Sequence, residues 1–317
     1  MARRPAIGIT MGDAAGIGPE VVLKSLADTS LTENSAITII GDAAHLRRVA
    51  DIFGLSEVLD RVNVTDLANL PADIEMGVDA AVTGRASAEN IVRAVEMWRT
   101  GEIDAIATAP ISKKAIALGG YDFPGHTEFL AQLTETGQFA MSFFADKLRV
   151  VLLSTHLSLL HAIALVKTDA LVELIAFSDK QLERLLGRKV KLAVAGLNPH
   201  ASEGGLFGRE EIDEIIPAVD RCRELGIDVS GPFSPDTIFL RCSQGEFDAC
   251  IALYHDQATI PVKALSFNSG VNVTLGLPLI RTSVDHGTAY AIAGKGVAES
   301  SSMAAAIKLA AELALTK

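Results

Sequence analysis

Three histidines of the chain each follow a short apolar run, which places them just beyond buried strands. They are His156 in Leu-Leu-Ser-Thr-His, His200 in Gly-Leu-Asn-Pro-His and His255 in Ala-Leu-Tyr-His. Because the carboxyl ends of parallel strands meet at one edge of a sheet, the three imidazoles could bind one divalent metal ion. The alternative is that each histidine only caps its strand or satisfies its loop. They lie too far apart in sequence for a local helical motif such as HExxH, so the metal site depends on the sheet.

Two carboxylates accompany the last of these histidines. Asp256 follows His255 directly, and Asp248 begins the same apolar run. A carboxylate beside a metal site can be a ligand, can orient a histidine or can act as a general base. A turn-forming role at the end of a strand is an equally open interpretation of Asp248.

A possible anion site begins at Gly125–Glu128, which introduces a helix predicted from Phe129 onward with Thr127 as its N-cap. Backbone N–H groups at a helix start can hold a phosphate or a carboxylate, although capped helices without a ligand are common. Lys263 and Arg281 are the cations that could complete such a site. A surface role is the default for either one, but Arg281 follows an apolar run, where an unpaired charge is costly.

Two glycine-rich segments have the composition of cofactor-binding loops. Gly12–Glu20 is not a GxGxxG loop, and none occurs in the chain, so the sequence excludes a standard Rossmann dinucleotide loop. Asp285–Tyr290, followed by Ala293–Gly296, combines an imidazole that can stack with glycines that permit close approach of the backbone. Another mode of dinucleotide binding therefore stays open, and ordinary glycine turns after a strand are the alternative.

The elements that must position these residues are short buried strands alternating with amphipathic helices. One helix is predicted for Thr168–Leu186 from its single apolar face, and another begins at Pro19, while Gly101 and Gly226 suit positions just after helix ends. This alternation predicts an α/β protein with a largely parallel sheet between layers of helices. The predicted strands are Ala6–Met11, Ala36–Ile40, Ala105–Ala107, Val150–Leu153, Leu192–Leu197 and Ala249–Tyr254.

The composition is that of a folded, acidic, globular protein. Of the 317 residues, 49% are hydrophobic and 21% are charged, which excludes intrinsically disordered and fibrous classes. A formal net charge of −11 argues against nucleic-acid and membrane partners, so any anionic ligand must meet a few local cations. No apolar run of about 18 residues predicts a transmembrane helix, and the apolar stretch after Arg4 is too short for a signal peptide. The 3 cysteines have neither disulfide nor zinc spacing, so a reducing cytoplasm is expected.

Taken together, these segments resemble the 4-hydroxythreonine-4-phosphate dehydrogenase family of vitamin B6 biosynthesis. The resemblance covers nearly the whole chain, and agreement in order over so many segments does not arise by chance. The segments that carry it are Ile9–Asp13, Gly16–Glu20, Ala109–Lys113, Gly125–Glu128, Thr155–His156, Leu197–Ala201, Glu203–Gly205, Gly231–Pro232, Ser234–Asp236, Tyr254–Gln257, Asn272–Gly276 and Arg281–Thr288.

The resemblance implies both a fold and a reaction. The fold is a three-layer α/β/α unit like that of isopropylmalate dehydrogenase, which spans residues 1–317. It has two α/β subdomains with the active site in their cleft, and composition does not reveal the boundary between them. The reaction is oxidation of a four-carbon phosphorylated 3-hydroxy acid by NAD, with NADP as the alternative cofactor, followed by decarboxylation. One divalent ion, which could be zinc, magnesium, manganese or cobalt, serves both steps.

The resemblance also assigns roles to individual residues. The metal ligands are His156, His200 and His255, and in the family's homodimer the first two are expected from one chain and the third from its partner. The substrate-binding residues are His126, Thr127, Lys263, Asn272 and Arg281. The cofactor-binding residues are Gly12, Asp13, Asp285, His286 and Gly287. Asp256 and Lys263 are the predicted catalytic residues.

Three segments depart from the family's pattern and leave the exact substrate open. Ala14 stands where the family has a proline, Leu157–Ala162 replaces a Pro-Leu-Arg-Asp type of sequence, and Leu206–Gly208 differs in the loop beside His200. 4-Hydroxythreonine 4-phosphate is the first candidate, and a catabolic relative acting on threonate or erythronate 4-phosphate shares the same chemistry. An acyl-phosphate transferase of related fold is the third alternative, and the three histidines weigh against it.

Overall fold

The computed structural model describes residues 3–123, 125–266 and 269–316. These residues form two compact units, each with an apolar core of its own. The first unit lies within Met1–Phe139 and Leu277–Leu315, and the second within Ala140–Gly276 and Thr316–Lys317. The chain therefore passes into the second unit after Phe139 and returns to the first after Gly276.

Strands and helices alternate over most of the described chain, as the sequence predicts. The strands are β1 (Ala6–Thr10), β2 (Ala36–Gly41), β3 (Asn63–Asp66), β4 (Ala105–Thr108), β5 (Ala140–Ala145), β6 (Leu148–Leu152), β7 (Leu192–Ala195), β8 (Val229–Phe233), β9 (Ala249–Ala252), β10 (Val271–Leu275) and β11 (Ile280–Ser283). The helices are α1 (Gly18–Ser25), α2 (Thr29–Asn34), α3 (Ala43–Phe53), α4 (Ser56–Leu59), α5 (Ala81–Arg99), α6 (Lys113–Leu118), α7 (His126–Leu133), α8 (Leu159–Ala164), α9 (Thr168–Leu186), α10 (Ile216–Glu224), α11 (Ile238–Ser243), α12 (His255–Ser266) and α13 (Ser301–Ala314).

The first unit has a parallel set of strands in the order β3-β2-β1-β4-β11. The near-continuous apolar runs of β1, β2 and β4 suit strands that are covered on both faces, and Ile7, Ile9 and Ile106 have no exposed surface. Because parallel strands end at the same edge, the loops that follow them meet there. Asp13 N–H donates to the carbonyl of Pro110 at 2.9 Å, which joins the loop after β1 to the loop after β4.

The second unit has the order β10-β5-β6-β9-β7-β8 and mixed strand directions. β5 pairs antiparallel with both β10 and β6, whereas β6, β9, β7 and β8 pair parallel. The largely parallel sheet predicted from the sequence is therefore incomplete here, because β5 and β6 form a tight hairpin. Asp146 turns that hairpin with a φ of +52°. The parallel strands β6, β9 and β7 end at one edge, and His156, His255 and His200 follow them.

The bounds of two helices can be compared with those predicted from the sequence. The helix predicted for Thr168–Leu186 is confirmed as α9. The predicted start of α7 is wrong: the helix begins at His126 with Gly125 as its N-cap, so Thr127 lies inside the first turn. The physical reason is that the backbone of Gly125 is extended, so helical dihedral angles begin at His126. The N-cap position is filled by a glycine, which has no side chain to cap the helix.

The apolar runs Leu192–Leu197 and Ala249–Tyr254 both extend two residues beyond the strands that they form. β7 ends at Ala195 and β9 at Ala252, and within two residues of each end a backbone N–H group donates to a buried side chain instead of to a neighbouring strand. Leu197 N–H donates to Glu211, and Leu253 N–H donates to Gln257. In the described part of the chain, no helix is both long and apolar enough to cross a membrane.

Candidate active site

Two of the three predicted metal ligands lie together in the second unit. The ring centroids of His156 and His255 are 5.8 Å apart within one chain. Both side chains line a cavity of about 260 Å³ together with Thr155, Tyr254 and Asp256. His255 is the first residue of α12, and His156 follows β6, so two adjacent parallel strands deliver the two rings.

Asp256 contacts the imidazole of its neighbour. Nδ1 of His255 lies 2.7 Å from Oδ1 of Asp256, so the carboxylate accepts a hydrogen bond from that ring nitrogen in the tautomer that carries its proton there. The arrangement leaves Nε2 of His255 for a ligand, which is the usual relation between a metal-bound imidazole and its supporting carboxylate. The sequence hypothesis that Asp256 orients a histidine therefore has a geometric basis.

The imidazole pair fits a divalent ion by the chemistry of its donors. Two imidazoles that share a zinc ion at about 2.0–2.1 Å from nitrogen have ring centroids roughly 5–6 Å apart, which includes the spacing seen here. Neutral imidazole nitrogen suits zinc, cobalt and other first-row ions. The two histidines and their cavity are therefore compatible with a metal, and a third donor is needed for a stable site.

His200 does not supply that third donor within the chain. Over residues 3–123, 125–266 and 269–316, no group of three His, Cys, Asp or Glu side chains is placed to hold a metal. The resemblance implies that His156 and His200 of one chain share a site, whereas the rings that meet in one chain are those of His156 and His255. His200 stands instead in a left-handed run in which the φ angles of His200, Ala201, Ser202 and Glu203 lie between +45° and +64°.

Asp248 takes the structural role that the sequence left open. It precedes β9, at the opposite end of that strand from His255. It pairs with Arg188 and accepts a hydrogen bond from Lys191 N–H at 2.8 Å. The hydrogen bond from the Arg188 guanidinium, more than any other cause, holds the pKa of Asp248 below its usual value.

A buried cation lies in the first unit. Arg281 of β11 is 4% exposed, and its Nε and one terminal nitrogen donate to Thr108 Oγ1 at 3.2 and 3.0 Å. Burial lowers the pKa of Arg281 to about 9, and the carboxylate of Glu128 opposes that shift. The guanidinium therefore remains charged at neutral pH in a place where charge is poorly solvated, which favours an anionic ligand.

His126 stands in the same neighbourhood at the start of α7. Burial, and then the positive charge of Arg281, lower the pKa of His126 well below its ordinary value, so its ring is neutral. Its Nε2 is buried and has no hydrogen-bond partner among the residues described. A buried polar atom without a partner is costly, and a phosphate or carboxylate oxygen would satisfy it.

The five predicted substrate residues are divided between the two units. His126, Thr127 and Arg281 belong to the first, whereas Lys263 on α12 and Asn272 on β10 belong to the second. The structure thus places three of the five near the start of α7 and the end of β4.

The predicted cofactor residues lie in loops of the first unit. Gly12 has a φ of +77°, and a Cβ there would stand 2.5 Å from the carbonyl oxygen of Pro110. Asp13 is fully buried and accepts from Ala15 N–H at 2.9 Å and from the Tyr290 hydroxyl at 2.8 Å. Burial is the largest cause that raises the pKa of Asp13, and these hydrogen bonds oppose it. Asp13 thereby connects the loop after β1 to the loop that carries Tyr290.

Asp285, His286 and Gly287 form the beginning of that second loop. His286 is exposed, with its Nδ1 at 3.1 Å from the carbonyl oxygen of Gly287. Within the described residues nothing lies within 4 Å of a Cβ built at Gly287, so its surface is open to a ligand. Ile17 N–H donates to the carbonyl of Thr288 at 3.0 Å, which fixes this loop against the start of α1.

Comparison with known proteins decides the family. The model of the pyridoxal phosphate biosynthetic protein PdxA family matches residues 22–310. The D-threonate 4-phosphate dehydrogenase of Cupriavidus necator is 45% identical over 98% of this chain and 97% of its own length. The 4-hydroxythreonine-4-phosphate dehydrogenase of Trichlorobacter lovleyi is 42% identical over 99% of both chains.

The chain belongs to the PdxA family. A crystal structure of 4-hydroxythreonine-4-phosphate dehydrogenase from Klebsiella pneumoniae superposes on this PdxA-family protein with a TM-score of 0.90 and 41% identity, over 99% of each chain. The resemblance and the oxidoreductase class predicted from the sequence are confirmed. A phosphotransacetylase from Staphylococcus aureus shares the fold alone, with a TM-score of 0.52 and 12% identity.

Sequence reasoning on this PdxA-family protein missed four side chains that organise the candidate site. They are Ser154, Glu211, Gln257 and Tyr290, each of which hydrogen-bonds a loop that follows a strand. Gln257 ends the segment Tyr254–Gln257 that carries the resemblance, and Tyr290 ends the glycine-rich segment Asp285–Tyr290, so their position in those segments was the available signal.

Proposed function

We propose that the protein uses NAD and a divalent metal ion to oxidise a four-carbon phosphorylated 3-hydroxy acid, and then releases CO₂ from the 3-oxo acid. The observation that carries the proposal is the imidazole pair of His156 and His255, with Asp256 on the second nitrogen of His255. The first candidate substrate is 4-hydroxythreonine 4-phosphate, the compound in the name of the Trichlorobacter lovleyi relative.

The chain's own residues divide the work around the metal. His156, His200 and His255 hold the ion, which is zinc, magnesium, manganese or cobalt. When bound, such an ion makes a substrate hydroxyl more acidic and stabilises negative charge that develops on oxygen. Asp256 keeps His255 in the tautomer that leaves Nε2 for the ion. Lys263, two turns further along the same face of α12, serves with Asp256 in proton transfer.

Substrate and cofactor are held by the other predicted residues. Arg281, His126 and Thr127 bind the phosphate group, which supplies an acceptor for the unpartnered Nε2 of His126. Lys263 and Asn272 bind the remainder of the substrate. The loops of Gly12–Asp13 and Asp285–Gly287 receive NAD, or NADP in its place. The open surface at Gly287 supports this assignment.

The direct test follows NADH at 340 nm with NAD, each metal and 4-hydroxythreonine 4-phosphate. Chelation should abolish turnover, and a metal ion should restore it. His255→Ala should lose bound metal in elemental analysis while thermal unfolding of the protein stays cooperative. Full activity in verified metal-free protein would contradict the metal-dependent mechanism.

D-threonate 4-phosphate is the second candidate substrate. The specific observations in its favour are the relative of that name from Cupriavidus necator, at 45% identity, and the departure of Leu157–Ala162 beside His156. The two compounds differ at C2, where one carries an amino group and the other a hydroxyl. A comparison of kcat/KM for the two, at equal metal and NAD, decides between them.

The third metal ligand comes from a second copy of the chain, in a homodimer with shared sites. Within the described residues His200 does not complete the group formed by His156 and His255. Five large apolar side chains next to His156 are between 36% and 75% exposed, and a partner would cover them. They are Leu157, Leu159, Leu160, Ile163 and Leu165.

Two mixtures of inactive variants test this assembly. His200→Ala and His255→Ala chains, unfolded, mixed and refolded together, should regain about a quarter of native activity when the two ligands of each site come from different chains. Random pairing makes about half the dimers mixed, and each mixed dimer then has one intact site. Lack of recovery, with homodimer refolding as the control, would exclude the shared site.

A mixture of His156→Ala with His255→Ala then assigns His156. The sequence expectation places His156 with His200 and predicts recovery. The pairing of His156 and His255 rings within one chain predicts none.

Two broader assignments complete the proposal. Helices cover both faces of the strands in three layers, as in isopropylmalate dehydrogenase. The protein works in the cytoplasm, where a reducing environment keeps thiols unpaired, and Cys222, Cys242 and Cys250 are all free.

A further inference from the structure

Gln257 joins two of the loops that follow strands in the second unit. The side chain is 7% exposed and lies on α12, two residues after His255. Its Nε2 donates to the carbonyl of Gly196 at 2.7 Å, and its Oε1 accepts from Leu253 N–H at 2.7 Å. Both distances are short for neutral hydrogen bonds, and both bonds are buried.

This amide replaces a missing pair of backbone hydrogen bonds. β7 and β9 pair in register as far as Val194 and Ile251, after which the two strands no longer hydrogen-bond to each other through their backbones. Gly196 and Leu253 would otherwise present a buried carbonyl and a buried N–H with no strand partner. Gln257 satisfies both groups at once, so it also fixes the distance between the two chain segments.

The segment beyond Gly196, which leads to His200, is held by the buried side chain of Glu211. Glu211 is 1% exposed, and its Oε1 accepts from the N–H groups of Leu197 and Asn198, each at 2.7 Å. A Cβ built on Gly196 would stand 2.9 Å from Cα of Ala201, which shows how closely the left-handed run folds back. A displacement of Gly196 would therefore move His200.

The two hydrogen bonds of Gln257 form a tie between Gly196 and Leu253, and the Leu253 end of this tie leads to His255 and His156. Leu253 immediately precedes Tyr254 and the start of α12 at His255. Its carbonyl accepts from the Ser154 hydroxyl at 2.9 Å, two residues before His156. Leu253 is thus held through its N–H by Gln257 and through its carbonyl by Ser154.

We propose that Gln257 is a positioning residue for the metal site. Its amide fixes the spacing between the segment that carries His200 and the helix that begins with His255. The inference rests on the proposed metal-binding role of the histidines. In the homodimer proposed above, His200 and His255 of one chain serve different sites, so the amide of Gln257 sets the place of one ligand in each of those two sites.

The test measures Co²⁺ binding to protein freed of metal, by titration calorimetry and by the visible absorption of the bound ion. Gln257→Leu should bind Co²⁺ about 10- to 100-fold more weakly than the native protein, which is the usual effect of losing a group that orients metal ligands. The absorption bands should also change, because the ligand geometry is altered. A general loss of stability would not change the spectrum of the metal that still binds.

Gln257→Glu separates the two halves of the tie. It keeps an acceptor for Leu253 N–H, but it loses the donor to Gly196 and places a carboxylate oxygen against that carbonyl. It should therefore weaken Co²⁺ binding as much as Gln257→Leu. Native affinity in Gln257→Glu would overturn the inference. This near-isosteric variant also keeps the test valid if Gln257→Leu does not fold.

Gln181→Leu is the matched control. Gln181 lies on α9, where it accepts from Arg184 Nε at 3.2 Å, away from the ends of the strands. Its replacement should leave Co²⁺ binding unchanged. Native protein that does not bind Co²⁺ would overturn the metal site and this inference with it. Native binding that persists unchanged in both Gln257 variants would overturn the inference alone.

Discussion

At the scale of single residues, the candidate site depends on polar groups whose burial gives them unusual properties. Arg281 stays charged although it is 4% exposed, and His126 stays neutral beside it. A buried cation and a neutral imidazole form a site that attracts an anion locally, although the protein as a whole carries a negative charge. Such a site would allow a chain of net charge −11 to bind the phosphorylated substrate proposed above.

Arg281→Met should mainly weaken substrate binding. We expect a loss of about 2–5 kcal/mol in the binding free energy, because the variant removes the buried positive charge that pairs with the phosphate group of the substrate. The measurement is kcat/KM with a phosphorylated substrate, and Arg281→Lys should retain part of it because the charge remains without the planar fork. Equal rates of the native enzyme with phosphorylated and dephosphorylated substrate would show that the phosphate site is misassigned.

His45 gives stability a defined pH dependence. Burial, and then the charge of Arg48, lower the pKa of His45 from 6.5 to about 4, so the folded protein keeps this ring neutral. Between pH 6.5 and 4 the unfolded chain binds more protons than the folded one, so stability falls as the pH falls through this window. The contribution of His45 should be a loss of roughly 2 kcal/mol between pH 7.5 and pH 5.

Urea unfolding at the two pH values measures this effect. His45→Leu should reduce the difference between pH 7.5 and pH 5 by about the stated amount. Some difference should remain, because burial also lowers the pKa of His126. His161→Leu is the control, since that side chain is exposed and its replacement should leave the difference unchanged. An unaltered difference in His45→Leu would show that this ring is protonated in the folded state.

At the scale of elements, close packing of backbones fixes where loops and helices can lie. α5 and α6 approach so closely that a Cβ on Gly84 would stand 1.8 Å from the carbonyl oxygen of Ala115. α6 follows directly after the loop of β4, whose carbonyl at Pro110 receives Asp13 N–H. Glycine at position 84 therefore supports the edge at which the loops after β1 and β4 meet.

Gly84→Ala should destabilise the protein by about 3 kcal/mol, because a methyl group cannot be placed without moving one helix backbone. Denaturant unfolding measures the change. Gly137→Ala is the matched control, since in the described residues nothing lies within 4 Å of a Cβ at that position. A neutral Gly84→Ala would mean that α6 can shift freely, contrary to the packing seen here.

At the scale of the whole molecule, a bound metal should stabilise the folded protein by mass action. An ion at 100 times its dissociation constant contributes about 2.7 kcal/mol when it binds the folded state alone. The midpoint of thermal unfolding should therefore rise when Co²⁺ is added to metal-free protein and fall again with chelator. His255→Ala should show no such rise, whereas a rise equal to the native one would place the ion elsewhere.

The division into two units was not visible in the sequence. Composition changes neither near Phe139 nor near Gly276, where the boundaries lie. The units are defined by contacts between segments far apart in the chain, since the first contains both Met1–Phe139 and Leu277–Leu315. The hairpin of β5 and β6 was missed for a related reason. An apolar run indicates burial, but strand direction depends on which neighbour the strand finds in the sheet.

The sequence by itself determined the local features of this protein. Apolar periodicity located α9 to the residue and placed the candidate histidines after strands, because helix faces and turn chemistry depend on near neighbours in the chain. The tertiary structure alone decided which polar atoms meet: Asp13 with Tyr290, Gln257 with Gly196, and His156 with His255. These contacts follow from the order of the strands, which is set by burial of apolar surface across the whole sheet and is not encoded in any one segment.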